Sequence, residues 1–79
     1  PQITVNVRVA DKDAVMKDTE VLAEKEKAEA ELGDRGRVLL RKSGTEPVIR
    51  VMVEAESDEV CRTMANNIAD LIRIKYEVN

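Results

Sequence analysis

Arg41 and Arg50 stand on either side of the tripeptide Ser43-Gly44-Thr45, within the run GRVLLRKSGTEPVIRVMVEA from Gly36 to Ala55. These residue types suit a doubly charged anion such as a phosphate monoester. Glycine permits backbone conformations closed to other residues, so successive N–H groups can converge on one oxygen. Ser43 and Thr45 add hydroxyl donors. The two guanidiniums offer planar forks matched to phosphate oxygens. Each charge-assisted hydrogen bond contributes roughly 1.5–3 kcal/mol net, so four or five orient such a group firmly. The candidate ligands are therefore Arg41, Ser43, Gly44, Thr45 and Arg50. Lys42 and Glu46 are secondary candidates. Strand alternation puts Lys42 on the opposite face, and Glu46 either points away from the anion or holds an arginine. Pro47 stiffens the exit by fixing its own φ.

In isolation the same pattern also fits an ordinary hairpin turn with flanking surface charge. The loop leads into no helix and lacks a Gly-Lys-Ser/Thr ending, so it is not a nucleotide-binding P-loop. Arg35, Arg37, Arg41, Lys42 and Arg50 form a basic cluster in sequence, whereas Glu20 to Glu31 is mostly acidic. On charge alone a solvated hairpin end explains that cluster better than an anion site does.

The elements that must position the loop are legible from periodicity. Ile3, Val5, Val7 and Val9 alternate with polar residues, which predicts a strand with one buried face. Asp11 caps a helical stretch, Lys12 to Leu32, with a break expected near Asp18-Thr19 and a stop at Gly33. Its stripe of Val21, Ala28 and Leu32 is interrupted by Lys25. Val38 and Leu40 share one strand face, and Ile49, Val51 and Val53 share another. Joined by a short loop, the two strands form an antiparallel hairpin that brings Arg41 and Arg50 together on the face away from the core. Ser57 caps a final helix in which Val60, Cys61, Met64, Ala65, Ile68, Leu71 and Ile72 recur at helical spacing. The order strand, helix, strand, strand, helix predicts an α+β domain: a small antiparallel sheet covered on one face by helices.

At 79 residues the chain is one domain, 1–79, with a core of marginal size. It opens at Pro1 and runs straight into a strand, which suggests a domain cut from a longer protein. There is no His, so imidazole chemistry is excluded within the chain. Cys61 is the single cysteine, and its apolar neighbours predict a buried structural thiol. With no Phe or Trp and one tyrosine, Tyr76, there is no stacking platform for single-stranded RNA. The net charge of −3 also argues against a nucleic-acid partner. No apolar run reaches membrane-spanning length, and a reducing cytoplasmic setting is the default expectation.

The segment RKSGTEPVIR resembles the phosphate-binding signature in the last domain of the α-D-phosphohexomutases. In that family Arg-x-Ser-Gly-Thr-Glu-Pro is followed by an arginine three residues beyond the proline. Arg41, Ser43, Gly44, Thr45, Glu46, Pro47 and Arg50 fill those positions. The flanking GRVLL and RVMVEA also fit, and the strand NVRV and the final helix fit more loosely. Lys42 stands where many relatives carry proline. The chain most resembles the bacterial branch that interconverts glucosamine 6-phosphate and glucosamine 1-phosphate.

The resemblance implies a four-domain parent working through a bisphosphate intermediate, with a phosphoserine in the first domain and Mg2+ held by the second. It implies that the last domain grips the phosphate that is not being transferred. No nucleophile loop and no aspartate-rich metal loop occur here, so the chain by itself is expected to bind phosphosugar and not to turn it over. Its partners would be the phosphosugar and the other three domains. The same domain of a phosphomannomutase or phosphoglucomutase, a stand-alone anion-binding module, and a docking domain using Leu39 and Met52 are the alternatives.

Overall fold

The computed structural model describes residues 1–77. The elements are β1 (Gln2–Arg8), α1 (Lys12–Lys17), α2 (Thr19–Leu32), β2 (Arg37–Lys42), β3 (Val48–Glu54) and α3 (Asp58–Tyr76), with a 3-10 turn at Gly33–Arg35. The three strands form one antiparallel sheet in the order β1-β3-β2. The helices pack on a single face of it, as the alternation of apolar residues requires.

β3 is the central strand and carries the most closely buried set. Ile49, Val51 and Val53 are fully buried together with Val7, Ala65, Ile68 and Ile72. Burying a Val or Ile side chain contributes about 1.5–3 kcal/mol each, so this layer dominates the stability of the domain. Cys61 is buried as expected, and its thiol donates to the Pro1 carbonyl at 3.3 Å. Val60 was expected within the buried stripe of α3. It is exposed instead, because α2 ends before it can cover the first turn of α3, leaving a groove lined by Leu32, Ala55, Val60 and Met64.

The helical stretch after β1 breaks at Asp18. Asp18 closes α1, and its carboxylate then caps α2 by accepting from the Glu20 and Val21 N–H groups at 2.9 and 3.0 Å. The same carboxylate receives Lys75 at 2.8 Å and the Tyr76 hydroxyl. Four donors therefore converge on one side chain and tie α2 to the far end of α3. Lys25, which interrupts the buried stripe of α2, is partly covered and paired with Glu29 at 3.2 Å. Gly33 ends α2 at φ 56°, a left-handed value suited to glycine.

Gly36 immediately precedes β2 and lies hard against the end of β3. A Cβ there would stand 2.2 Å from the Glu54 carbonyl oxygen. The hairpin can close at this end only because the side chain is absent. Gly36→Ala is expected to cost about 1–3 kcal/mol, which thermal denaturation would record as a midpoint lower by roughly 5–20 °C.

The Lys75 ammonium, the Tyr76 hydroxyl and the Val21 N–H hold the Asp18 carboxyl well below the ordinary carboxylate range. The ionised form is thus favoured by folding. Its contribution is complete above about pH 4, where an unfolded aspartate is charged. It is lost as pH falls through the depressed folded value. Below about pH 4 the unfolding midpoint of the native chain should fall steeply with pH. Asp18→Asn should be less stable at neutral pH and show a flatter acid limb; parallel acid limbs would show that Asp18 is not the responsible group.

Candidate functional site

The loop Ser43–Pro47 sits at one end of the sheet, between β2 and β3. Arg41 and Arg50 are directly opposite each other in the antiparallel register, on the face that no helix covers. Both are exposed. On the other flank of Arg50, its register partner in β1 is Asn6, whose Oδ1 accepts from the Arg50 Nε at 3.4 Å. The Arg50 fork is therefore steadied from behind, through the one nitrogen that a bidentate terminal grip leaves free. Arg8 lies one step nearer the loop on the same face, opposite Val48.

The backbone of the loop is organised by Ser43. Its Oγ accepts from the Thr45 and Glu46 N–H groups at 3.4 and 3.2 Å, and its own N–H donates to the Val48 carbonyl at 2.9 Å. The Val48 N–H closes a tight turn on the Glu46 carbonyl at 2.8 Å. The Pro47 carbonyl accepts from Val9 at 2.9 Å, which fastens the loop's exit to the chain beyond β1. On the helix side, Lys12 donates to the Ser43 carbonyl at 2.6 Å and Lys42 pairs with Asp13 at 2.5 Å. That lysine lowers the Asp13 pKa, chiefly through the hydrogen bond it donates.

The structure thus brings Arg41, Ser43, Gly44, Thr45 and Arg50 together at one end of the uncovered face. It sends Lys42 to the helix layer. Glu46 is exposed and, among the described residues, ion-pairs with neither arginine. The five-residue basic cluster of the sequence is divided. Arg35 lies in the turn after α2 and lines the groove beside Met64, and Arg37 pairs with Glu54 at 3.2 Å at the far end of the hairpin. The role of Gly44 also differs from expectation. It does not use the left-handed region; no atom lies within 4 Å of the point where its side chain would begin. What it supplies is an open approach to the loop backbone.

Asn6, Arg8 and Lys12 were not singled out from the sequence. Asn6 and Arg8 belong to a polar alternation that any half-buried strand shows. A signal existed for both, since each occupies the uncovered face once the register of β1 on β3 is known. Along the uncovered face, from the far end of the hairpin toward the loop, Arg37, Leu39, Arg41, Arg50 and Met52 line a shallow depression of about 260 Å³. Among the described residues no group of three or more Cys, Asp or Glu side chains could hold a metal ion. Chemically the site is an array of donors, without a nucleophile–base pair.

Residues 5–71 match the family described as phosphoglucomutase/phosphomannomutase, C-terminal domain. The chain belongs to that family. Its curated relatives include the phosphoglucosamine mutase of Thermobifida fusca, 51% identical over 79 residues, which are 100% of this chain and 18% of that protein. The phosphoglucosamine mutase of Proteus mirabilis is 56% identical over 73 residues, 92% of this chain and 16% of that protein. The chain therefore spans less than a fifth of these relatives. Among solved structures, an N-acetylphosphoglucosamine mutase of Aspergillus fumigatus in complex with glucose 1,6-bisphosphate superimposes with a TM-score of 0.82 at 25% identity, over 99% of this chain and 16% of that one. The same fungal enzyme in complex with GlcNAc-6P and magnesium gives 0.75 at 29% identity, over 94% of this chain and 15% of that one.

In the phosphohexomutase domain described here, two like charges face each other across a strand pair. Like charges directly opposite destabilise a sheet by a few tenths of a kcal/mol up to about 1 kcal/mol. Arg41→Gln should therefore raise the unfolding midpoint at low ionic strength. The gain should shrink at about 1 M salt, where screening acts over roughly 3 Å. Denaturation at two salt concentrations checks this, and a gain independent of salt would show that charge opposition is not its source.

Proposed function

We propose that this chain is the phosphate-gripping C-terminal domain of a phosphoglucosamine mutase, whose complete form interconverts glucosamine 6-phosphate and glucosamine 1-phosphate through a bisphosphate intermediate. The observation that carries this reading is the register of Arg41 against Arg50 on the uncovered face, beside the Ser43-Gly44-Thr45 backbone. Two forks at one end of a sheet, with hydroxyl and amide donors between them, can close around the oxygens of a phosphate monoester. The identity to enzymes of that name supports the choice of sugar. The donors themselves contact phosphate rather than the ring. A cup of that kind accepts phosphate from either end of a sugar, as a bisphosphate that turns over between two half-reactions requires.

The same geometry serves a phosphomannomutase or phosphoglucomutase equally, and the family's description includes both. In either case the chain binds and does not turn over substrate. Binding that is equal in ground and transition states gives no rate enhancement. The phosphoserine and Mg2+ of the resemblance would be supplied by the other three domains.

An amide-detected NMR titration with glucosamine 6-phosphate tests the reading. The signals of Ser43 to Glu46 should move most, with weak affinity because the isolated domain supplies only part of the contacts. In the complete enzyme, Arg50→Lys keeps the charge but loses the planar fork. It should lower kcat/KM by roughly 10–100-fold, the equivalent of one charge-assisted contact, while the unfolding midpoint changes little. Shifts centred on α3, or wild-type kinetics for Arg50→Lys, would overturn the assignment.

A further inference from the structure

The loop rests on a lysine. Lys12 opens α1, and its partly buried ammonium donates to the Ser43 carbonyl at 2.6 Å. The next residue, Asp13, holds Lys42, and the preceding one, Asp11, caps α1 by accepting from the Ala14 N–H at 3.1 Å. Consecutive residues of α1 thus grip the consecutive residues that lead into the loop, Lys42 through its side chain and Ser43 through its backbone. The peptide between Ser43 and Gly44 is trans. Its N–H, carried by Gly44, accordingly points away from the ammonium that holds its carbonyl.

The three successive amides of the loop are not equivalent. Those of Thr45 and Glu46 are taken by the Ser43 hydroxyl oxygen. That of Gly44 has no acceptor among the described residues, and the space where a Gly44 side chain would begin is open. A charge-assisted bond at the carbonyl draws electron density through the amide and strengthens its N–H as a donor. We propose that Lys12 is a positioning residue of the anion site: it fixes and polarises the Ser43–Gly44 peptide, so that the Gly44 N–H is the principal backbone donor to a phosphate monoester. The ligand rests on the function proposed above; the anchoring of the free loop does not.

The test compares the native chain with Lys12→Met, Lys12→Arg and Lys17→Met by amide NMR, free and titrated with glucosamine 6-phosphate. Lys17→Met removes a charge from the same helix without touching the loop carbonyl. In the free protein, Lys12→Met should move the Gly44 amide proton upfield and lower the order of residues 43–45, whereas Lys17→Met should not. On titration, Lys12→Met should bind about three- to tenfold more weakly, with a smaller Gly44 shift at saturation. Lys12→Arg, which can still donate to the carbonyl, should recover most of both. Equal weakening by Lys12→Met and Lys17→Met reduces Lys12 to a distant charge and overturns the proposal. So does a Lys12→Met chain whose Gly44 signal and affinity match the native chain. A native loop that ignores the ligand overturns the phosphate reading, and with it the ligand part of this proposal. A native loop that responds, with Lys12→Met responding equally, overturns this proposal alone.

Discussion

The register of β3 between its two neighbours is the constraint on which the rest of this domain depends. Side chains alternate strictly along a strand, so each residue of β3 is committed to one face. Ile49, Val51 and Val53 must enter the core, since they are the layer against which α3 packs. Arg50 is then forced outward. Because β2 pairs with β3 from Val38 opposite Val53 to Leu40 opposite Val51, Arg41 is forced outward beside it. A slip by one residue would carry guanidiniums toward the core and valines into water. The hydrophobic layer therefore sets the spacing of the two charges, and no contact between the arginines is needed to hold them together. They oppose each other at some electrostatic cost, which the apolar face opposite them more than offsets.

The loop between those strands is held differently. Its two ends belong to the sheet, but its body is fixed by polar contacts to three separate neighbours: Val9 at the Pro47 carbonyl, Lys12 at the Ser43 carbonyl, and Asp13 at Lys42. Val9 lies just beyond β1, and Lys12 and Asp13 open α1. The chain from the end of β1 into the first turn of α1 is therefore part of the loop's support. Holding the Ser43 carbonyl leaves the N–H of the same trans peptide, that of Gly44, to face the other way. A contact that stabilises the free loop and the polarity needed to receive an anion thus arise from the same bond.

Most of this was legible from the sequence where periodicity was clear. The alternation in residues 3–9, 38–41 and 49–53 predicts each strand and the inward set, and the hairpin alone implies that Arg41 and Arg50 meet. The caps at Asp11 and Ser57 predict where helices begin, because an aspartate or serine ahead of an apolar stripe answers free N–H groups at a helix start. Three matters were not legible. Charge clustering in sequence ignores the direction of the strand: Arg37 and Arg41 are four residues apart, yet they stand at opposite ends of β2. The stripe of α3 extends to Val60, but whether a neighbouring helix reaches that turn is decided by where α2 stops. Lys12 reads as an ordinary helix-start lysine until the crossover places it under the loop.

The uncovered face is also what makes a domain of this size usable in a larger protein. A core built from one sheet face and three helices leaves the opposite face free of packing duties. That face can then be written in arginine, asparagine and serine without exposing core residues. Leu39 and Met52 are its apolar centre, and they lie in the same depression as Arg37, Arg41 and Arg50. On the function proposed above, the loop end of the face would bind weakly when alone, because its donors would meet one side of an anion and solvent the other. Closing a second surface over it would remove that solvent and strengthen each charge-assisted bond, since the interaction of fixed charges rises as the local dielectric falls. On the role proposed for Lys12, its anchoring would gain most from such closure: a peptide whose N–H is already oriented loses little entropy when a ligand arrives, so the added electrostatic energy is retained as affinity.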